Sequence, residues 1–216
     1  RLFIVAHKGK LPANITRDGP DPVFHPPTLC AAVEALPDTT HLAWVWWRMP
    51  HPPRRNADLA SLLERDPPEH VWRSDDAARK LMAQMAPLHR QRVEAALSDP
   101  GWNAGAVFRR IRLEKGERIQ RAEIRYDGMA GCLRTPAGGS SKQLLLVTEN
   151  GRARLRPMMA REAARLMGLE DSYRLPPGET RALKVIGDGV SVPVVRWLGE
   201  HLLSPLAGSA AAKAAA

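Results

Sequence analysis

The residues whose types and spacing could do chemistry lie near the end of the chain, at positions 156–195. This stretch reads RPMMAREAARLMGLEDSYRLPPGETRALKVIGDGVSVPVV. Its first half carries Arg161, Glu162 and Arg165, and the carboxylate of Glu162 can meet the guanidinium of Arg165 one helical turn later. Its second half carries the group GDGV at 187–190. Both sets of polar positions need local elements that hold them in place.

A helix is predicted to position the charged residues. Positions 158–167 contain only Ala, Leu, Met, Arg and Glu, which are strong helix formers. Met159, Ala163 and Leu166 are spaced i, i+4 and i+7, so they share one apolar face. Gly168 follows, and glycine is usual where a helix ends in a left-handed residue. We therefore expect a helix over 158–167, with a loop between it and residue 187.

The two halves of this stretch together resemble the C-terminal end of DNA cytosine-5 methyltransferases. The pattern R-E-x-A-R-L-x-G-x-x-D-x-Y occupies 161–173, and G-x-G/A-V-x-V-P-V occupies 187–194 before a last helix. In that family these are the last two of ten ordered motifs. Each block alone is a weak signal, but both in this order and spacing form a strong one. The resemblance implies methyl transfer from S-adenosylmethionine to cytosine within a specific duplex sequence.

The resemblance also assigns roles to the residues of both blocks. It implies that the charged residues of the first block hold the recognition region in place and are not catalysts; they are Arg161, Glu162 and Arg165. It implies that S-adenosylmethionine lies against the second block, at Asp188, Gly189 and Val190. The family has Asn where this chain has Asp188. An Asp can accept a hydrogen bond from a cofactor amine or hydroxyl, but it cannot donate one as Asn does.

The first six residues, RLFIVA, form an apolar run that predicts a buried strand. In the family, the eighth motif ends in R-x-R followed by a strand of this kind. The resemblance implies that Arg1 is the second of these arginines and contacts the flipped target cytosine. Because the sequence starts with Arg rather than Met, we expect that the start of the protein lies elsewhere.

A glycine-rich segment, 127–147, is the candidate for reading DNA bases. It reads DGMAGCLRTPAGGSSKQLLLV; its glycines leave the backbone open to close approach, and its Gly-Gly-Ser-Ser turn could form an anion-binding nest. The P-loop pattern is absent. In the family a Thr-Leu pair precedes such a loop; Leu133 matches it, whereas Cys132 replaces the Thr. The predicted DNA-binding residues are Arg125, Tyr126, Leu133, Arg134, Thr135, Gly138, Gly139, Ser140 and Lys142.

An arginine-rich hairpin is predicted just before this segment. Strands over 105–111 and 121–126 flank a charged turn at 114–117. Such a surface suits DNA phosphates, but it is also normal for an exposed edge strand, which charges protect from unwanted pairing. The adjoining glycine-rich segment favours the DNA interpretation. The arginines are Arg109, Arg110, Arg112, Arg118, Arg121 and Arg125.

The charge balance favours an acidic partner. Lys and Arg number 32 against 23 Asp and Glu, giving a formal charge of +9. Nucleic acid is the simplest partner for such an excess, although a solvated basic surface gives the same count. Cys30 and Cys132 lie far apart with no metal-ligand spacing, which argues against a zinc site and a disulfide scaffold. No apolar run long enough to span a membrane occurs, and a cytoplasmic, nucleoid-associated location fits.

The sequence lacks the residues that perform the family's chemistry. That chemistry needs a Cys nucleophile in Pro-Cys-Gln, a Glu in Glu-Asn-Val and a glycine-rich cofactor loop, and the target base must leave the duplex. None of these motifs occurs here. We therefore expect the chain to be inactive alone and to need an N-terminal catalytic half, either in the same polypeptide or as a separate subunit of a split methyltransferase.

Two other classes of function compete with this interpretation. A non-catalytic, sequence-specific module that binds double-stranded DNA would have the same basic composition without the catalytic motifs. An RNA-binding protein is suggested only by charge and aromatic residues, and the RNA-recognition pattern K/R-G-F/Y-G/A-F-V-x-F/Y is absent.

The predicted fold class is α+β. We expect the last strands of a Rossmann-like catalytic domain over 1–12 and a target-recognition domain of short strands and helices over 13–155. The two motif helices then follow over 156–206, with an Ala-rich tail over 207–216. Within the recognition domain, helices are predicted over 28–35, 59–63 and 74–85, and residues 88–97 are expected to extend the last of these after Pro87. Further strands are predicted over 41–49 and 143–147.

Overall fold

The computed structural model describes residues 2–41, 43–53, 57–114, 116–133, 135 and 142–208. The chain divides into two compact units. The larger unit comprises residues 55–192, and the smaller combines residues 1–54 with residues 193–216. Each unit has buried apolar clusters of its own.

The helices and strands are labelled in chain order. The first part of the chain contains β1 (Thr16–Arg17), α1 (Pro27–Glu34), α2 (Asp38–His41) and β2 (Trp46–Trp47). The middle contains α3 (Leu59–Leu62), a 3₁₀ turn (Glu69–Val71), α4 (Asp75–Ala83), α5 (Pro87–Ser98), β3 (Asn103–Glu114), β4 (Glu117–Arg125), β5 (Leu144–Glu149) and β6 (Arg152–Pro157). The last part contains α6 (Ala160–Leu166), α7 (Glu179–Asp188), α8 (Val192–Leu198) and a π-helical segment (Gly199–Leu203).

An antiparallel sheet of four strands in the order β4-β3-β5-β6 forms the centre of the larger unit. Side chains alternate between the two faces of a strand, so each face has its own apolar set. Ala104, Ala106 and Leu145 belong to the cluster that also contains residues of α3, α6 and α7. On the other face of the sheet, Val107 and Ile124 belong to the cluster that contains residues of α4 and α5. The sheet is therefore covered on both faces.

A two-residue strand pair and the end of the chain make up the smaller unit. β1 pairs with β2 through Thr16 and Trp47, and the two strands are antiparallel. Ile15, Leu202 and Leu206 form its buried cluster. Asp21 is buried as well, and it accepts a hydrogen bond from the backbone N–H of Val23 at 2.9 Å. This hydrogen bond is the main reason why the pKa of Asp21 lies below its usual value.

Several predicted elements are confirmed. The chain mixes helices with an antiparallel sheet, as the α+β prediction requires. The helix predicted over 158–167 is α6, and Gly168 ends it with φ of 78°. The predicted hairpin is β3 with β4, and the strand predicted over 143–147 is β5. Ser74 caps α4 through a hydrogen bond from the N–H of Ala77.

Other predicted elements are wrong. Residues 2–12 contain neither helix nor strand, and Leu2 and Ile4 are 64% and 71% exposed. An extended segment becomes a strand only where another strand satisfies its backbone, and no strand of the described residues pairs with this one. Of the strand predicted over 41–49, only Trp46–Trp47 is a strand. Residues 88–97 belong to α5, a helix separate from α4, and it begins at Pro87, which suits the first turn of a helix.

Two of the elements that were not predicted adjoin the motif blocks. The segment between the two motif blocks, expected as a loop, contains helix α7, and Ala182 and Ile186 bury its apolar face at a spacing of i and i+4. The strand β6 precedes α6 and pairs with β5, although three of its six residues are arginines. Both elements lie directly beside the candidate site.

Candidate functional site

A buried ion pair joins β6 to α6. Arg156, the next-to-last residue of β6, and Glu162, in the first turn of α6, are both fully buried. Two parallel hydrogen bonds connect them: the guanidinium donates from Nη1 to Oε2 at 2.7 Å and from Nη2 to Oε1 at 2.6 Å. This bidentate geometry is the strongest arrangement for an Arg and a carboxylate. The pair fixes the direction in which the helix leaves the strand.

Glu162 also orders the backbone around the start of its helix. Its carboxylate accepts the N–H of Met159 at 2.7 Å, which satisfies a free donor at the helix N-terminus. It accepts the N–H of Glu64 at 2.9 Å, and Arg156 donates to the carbonyl of Glu64 at 3.2 Å. The segment after α3 is thereby attached to the same pair. One buried carboxylate therefore holds three parts of the chain together.

The two other charged residues of the first motif make further links. Arg165 donates to the carboxylate of Asp171 at 2.7 and 2.9 Å and lies 2.7 Å from a carboxylate oxygen of Glu64. Arg161 donates to the carbonyls of Glu170 and Tyr173 at 3.3 and 2.9 Å. The arginines thus tie the helix to the turn that follows it and to the segment after α3. None of these contacts needs a substrate.

The charges of this network reinforce one another. The hydrogen bonds that Arg165 donates to Asp171, followed by its contact with Glu64, raise the pKa of Arg165 above its ordinary value. The same contact lowers the pKa of Asp171. Both groups therefore stay charged at neutral pH.

The glycine-rich segment is anchored at its start by backbone and side-chain contacts. Gly128 has φ of 70°, a conformation that favours glycine, and its carbonyl accepts the N–H of Leu59 at 2.8 Å. The N–H of Gly131 donates to the side-chain oxygen of Gln143 at 3.0 Å. Gln143 in turn donates to the carbonyl of Val107 at 3.0 Å. The first residues of the segment are therefore held against the sheet and α3.

The next predicted DNA-binding residues have different surroundings. Leu133 packs against the cluster that contains residues of α6 and α7, and Cys132 beside it is exposed. Arg125 is paired with Asp127, and this contact lowers the pKa of Asp127. The ring of Tyr126 packs against the cluster that contains residues of α4 and α5, and burial raises the pKa of its hydroxyl. Lys142 is exposed. Tyr126 is therefore placed as part of the apolar core.

The glycine-rich segment also meets the second motif. The hydroxyl of Thr135 donates to the carboxylate of Asp188, which is the last residue of α7. Gly189 follows as the C-cap; a Cβ there would lie 3.2 Å from the carbonyl of Ile186. Val190 is half-buried. The structure therefore brings together one predicted DNA-binding residue and one predicted cofactor-binding residue.

The remaining predicted site residues lie outside the described part of the chain. They are Arg1, Arg134, Gly138, Gly139 and Ser140.

Three residues of this arrangement were missed by reasoning from the sequence. Arg156 follows buried Leu155 in β6, and an arginine in a strand just before a helix whose first turn carries Glu was the available signal. Glu64 contributes through its backbone as well as its carboxylate, and no sequence signal reports a backbone contact. Gln143 anchors the start of the glycine-rich segment through its amide, and its position in the same segment, directly after Lys142, was the only hint.

Comparison with known proteins decides the family. The family model for C-5 cytosine-specific DNA methylases matches residues 1–204. The chain belongs to this family. The match covers both the glycine-rich segment and the two motif blocks, so the resemblance noted in the sequence is confirmed.

One curated relative is the Type II methyltransferase M.HpaII of Haemophilus parainfluenzae. It is 40% identical over 58 residues, which are 27% of this chain. The matching stretch spans 16% of the relative's length.

Two further properties of the described residues bear on the site. None of the helices among them has the length and apolar character needed to cross a bilayer. Within the same ranges, no group of three or more His, Cys, Asp or Glu side chains is arranged to hold a metal ion.

Proposed function

We propose that this chain is the DNA-recognition and C-terminal part of a DNA (cytosine-5) methyltransferase. The whole enzyme transfers a methyl group from S-adenosylmethionine to cytosine in a specific duplex sequence. Residues 13–155 form the target-recognition domain, residues 156–206 hold it to the Rossmann-like catalytic domain, and residues 1–12 belong to that domain. The observation that carries the proposal is the contact between Thr135 and Asp188, which joins the glycine-rich segment to the second motif.

Double-stranded DNA is the partner that fits residues 127–142 of the glycine-rich segment. Hydrogen bonds at Gly128 and Gly131 hold the start of these residues, and the polar positions follow it in the sequence. Backbone N–H groups and short polar side chains can approach DNA phosphates and the edges of the bases closely. The formal charge of +9 favours association with the polyanion.

The residues of the second motif fit one side of S-adenosylmethionine. The carboxylate of Asp188 accepts the hydroxyl of Thr135, and a carboxylate is the kind of acceptor that binds a cofactor amine or hydroxyl. Gly189 is the C-cap of the helix and follows that carboxylate directly in the chain. The cofactor supplies the methyl group, and these residues bind and orient it. Most of its contacts come from the N-terminal half.

The contacts of the first motif support a structural role for its charged residues. Arg161, Glu162 and Arg165 bind neighbouring carbonyls, carboxylates and N–H groups, and these contacts satisfy them without a substrate. We assign them to holding the recognition region in a fixed orientation. The nucleophilic Cys, the Glu that supports the target base and the main cofactor loop belong to the other half.

Isolated, purified chain is expected to transfer no methyl group to duplex DNA. The printed sequence has no Cys in Pro-Cys-Gln and no Glu-Asn-Val, so no thiolate is placed to attack the base. The measurement is incorporation of labelled methyl from S-adenosylmethionine into a mixed library of duplexes. The matched assay adds a polypeptide that carries the missing motifs, and activity should appear only in the mixture. Methyl transfer by the chain alone would contradict the assignment.

Arg134→Ala is expected to relax the sequence preference of DNA binding. A bidentate contact from an arginine to guanine discriminates against the wrong base by about 1–3 kcal/mol. A duplex that the wild-type chain prefers is first selected from a random library. The measurement is the affinity of the variant for this duplex relative to its affinity for single-base variants of the duplex. Equal weakening on every duplex would instead assign Arg134 to a phosphate. Lys142→Ala provides the comparison, because an exposed lysine at the end of the segment suits a phosphate contact.

A further inference from the structure

The hairpin of β3 and β4 extends beyond the sheet. Pairing between β3 and β5 ends at Val107, whereas pairing between β3 and β4 continues to Glu114 and Glu117. Positions 108–114 and 117–123 thus form a two-stranded ribbon. Among the described residues, its one further β-type contact is the isolated bridge between Ala122 and Met85. At ~3.3 Å per residue its length is roughly 20 Å. We call this part of the hairpin the ribbon.

The ribbon has two unlike faces because side chains alternate along each strand. Phe108, Arg110 and Arg112 point to one face, together with Arg121 and Glu123 on the other strand. A Cβ on Gly131 would lie 2.2 Å from the ring of Phe108, so this face is on the side of Gly131, near the start of the glycine-rich segment. We call it the loop face and the opposite one the outer face.

Acidic groups neutralise the cations of the loop face. Glu123 lies 3.5 Å from Arg110 and is hydrogen-bonded by Arg112. Arg121 is paired with Glu114, and this contact lowers the pKa of the carboxyl group. A surface whose arginines already have carboxylate partners attracts phosphates weakly, because each new contact competes with an existing one.

The outer face has the opposite character. It is formed by Arg109, Ile111 and Leu113 of β3 and by Arg118 and Gln120 of β4, and it contains no acidic residue at these positions. Both of its arginines are exposed, and within the described ranges neither forms an ion pair. Ile111 and Leu113 are 60% and 74% exposed. The face is therefore cationic, free of carboxylates and apolar at its centre.

Resting on the function proposed above, we infer that the outer face is a second duplex-contacting surface. A two-stranded β-ribbon fits the major groove. There, Arg109 and Arg118 neutralise phosphates at the groove edges, and Ile111 and Leu113 contact thymine methyl groups. Since Gly131, near the start of the glycine-rich segment, lies on the other side of the ribbon, this contact is made to DNA that flanks the recognised site.

The charge pattern favours DNA over a protein partner. A protein surface carries both signs of charge, and a docking face for it normally includes acids as well as bases. The outer face offers only cations around its apolar centre, and the chain as a whole carries a formal charge of +9. This pattern complements a uniform polyanion.

The test compares two double variants with the same change in net charge. Arg109→Gln with Arg118→Gln removes the cations of the outer face, and Arg110→Gln with Arg112→Gln is the matched control on the loop face. Duplex binding by the full chain is measured by fluorescence anisotropy over a range of salt concentrations. The slope of log K against log salt is negative, and its magnitude should decrease by about 1.8 in the first variant, at ~0.9 for each phosphate left without its arginine. In the control variant the magnitude should decrease by much less.

Duplex length gives a second readout. The effect of the outer-face variant should appear on a duplex extending one helical turn, ~10 base pairs, beyond the site on each side, and should largely disappear on a duplex trimmed to the site. Equal slopes for the two double variants, or an outer-face variant that behaves as wild type on the long duplex, would overturn this inference while leaving the proposed function intact. A wild-type chain that binds no duplex would instead refute the proposed function.

The apolar part of the face is tested separately. Ile111→Ser with Leu113→Ser should weaken binding to the long duplex while leaving the salt slope unchanged, because no charge is removed. Sedimentation of the wild type and this variant identifies the other occupant, a second copy of the chain. A wild-type dimer that the variant converts to a monomer, with DNA affinity unchanged, would show that these side chains contact protein and not DNA.

Discussion

Glu162→Ala is expected to lower the free energy of unfolding by about 3–5 kcal/mol, because it leaves the charge of Arg156 buried without its partner. The substitution also removes the acceptor of two backbone N–H groups, those of Met159 and Glu64. Each buried donor left without a partner adds to the loss. The measurement is urea-induced unfolding followed by circular dichroism, with the midpoint and slope fitted together.

A graded series keeps this prediction testable if the alanine variant does not fold. Glu162→Gln keeps an oxygen acceptor for only one of the two N–H groups, because these bind different carboxylate oxygens, and it removes the charge. Its loss should therefore be smaller than that of the alanine variant, which removes both acceptors. Glu94→Gln is the matched control at an exposed position, where the change should be within about 0.5 kcal/mol of zero. A Glu162→Ala variant as stable as this control would show that the pair is not buried.

Replacing both partners separates the ion pair from the hydrogen bonds that Glu162 makes to the backbone. Arg156→Met combined with Glu162→Leu leaves no unpaired charge in the interior, and such apolar replacements of buried pairs are often neutral or stabilising. Here the two backbone N–H groups still lose their acceptor, so the double variant should recover most but not all of the stability. Its remaining deficit measures how much Glu162 contributes through the backbone.

Elements whose stability comes from local pattern could be predicted from the sequence. Ser74 and the two acids after it marked the start of α4, and the apolar spacing of Ala78 and Leu81 marked its buried face. The hairpin of β3 and β4 was also predicted, because a charged turn separates two strand-like segments. In these cases the residues that determine the element lie within it.

Elements that depend on distant partners could not be predicted. The strand β6 reads RARLRP, and only its pairing with β5 and the burial of Arg156 by Glu162 make it a strand. Helix α7 is capped by Gly178, whose φ of 87° the sequence cannot report. The apolar run over 1–6 illustrates the reverse case, because strand propensity without a pairing neighbour gave no strand over the described residues 2–6.

The candidate site was predicted in its parts but not in its connections. The two motif blocks identified Glu162 and Asp188 by residue type and spacing. Their actual partners, Arg156 and Thr135, are set by the fold and lie six and fifty-three positions away. Sequence patterns therefore located the groups, whereas the contacts that give them a role required the structure.

Gly131→Val is expected to displace the start of the glycine-rich segment and to weaken duplex binding by about 5–150-fold. Even a single Cβ at this position would lie 2.2 Å from a ring carbon of Phe108 and 2.5 Å from the side-chain oxygen of Gln143. Gln143 has little freedom to move, because its amide also donates to the carbonyls of Val107 and Leu144. Overpacking of this kind costs about 1–3 kcal/mol, and tenfold in affinity corresponds to about 1.4 kcal/mol.

The control for this substitution is Gly19→Val, where an added Cβ meets no atom within 4 Å. Duplex affinity and unfolding free energy are measured for both variants. Gly131 lies outside the strands, and the core of the sheet contains fully buried residues such as Leu145 that the substitution does not change. The Gly131→Val variant should therefore retain the sheet and change mainly the conformation of the glycine-rich segment. An unchanged affinity in Gly131→Val, with the sheet intact, would mean that the position of this segment does not determine DNA binding, and the reading of bases would then have to be assigned to another surface.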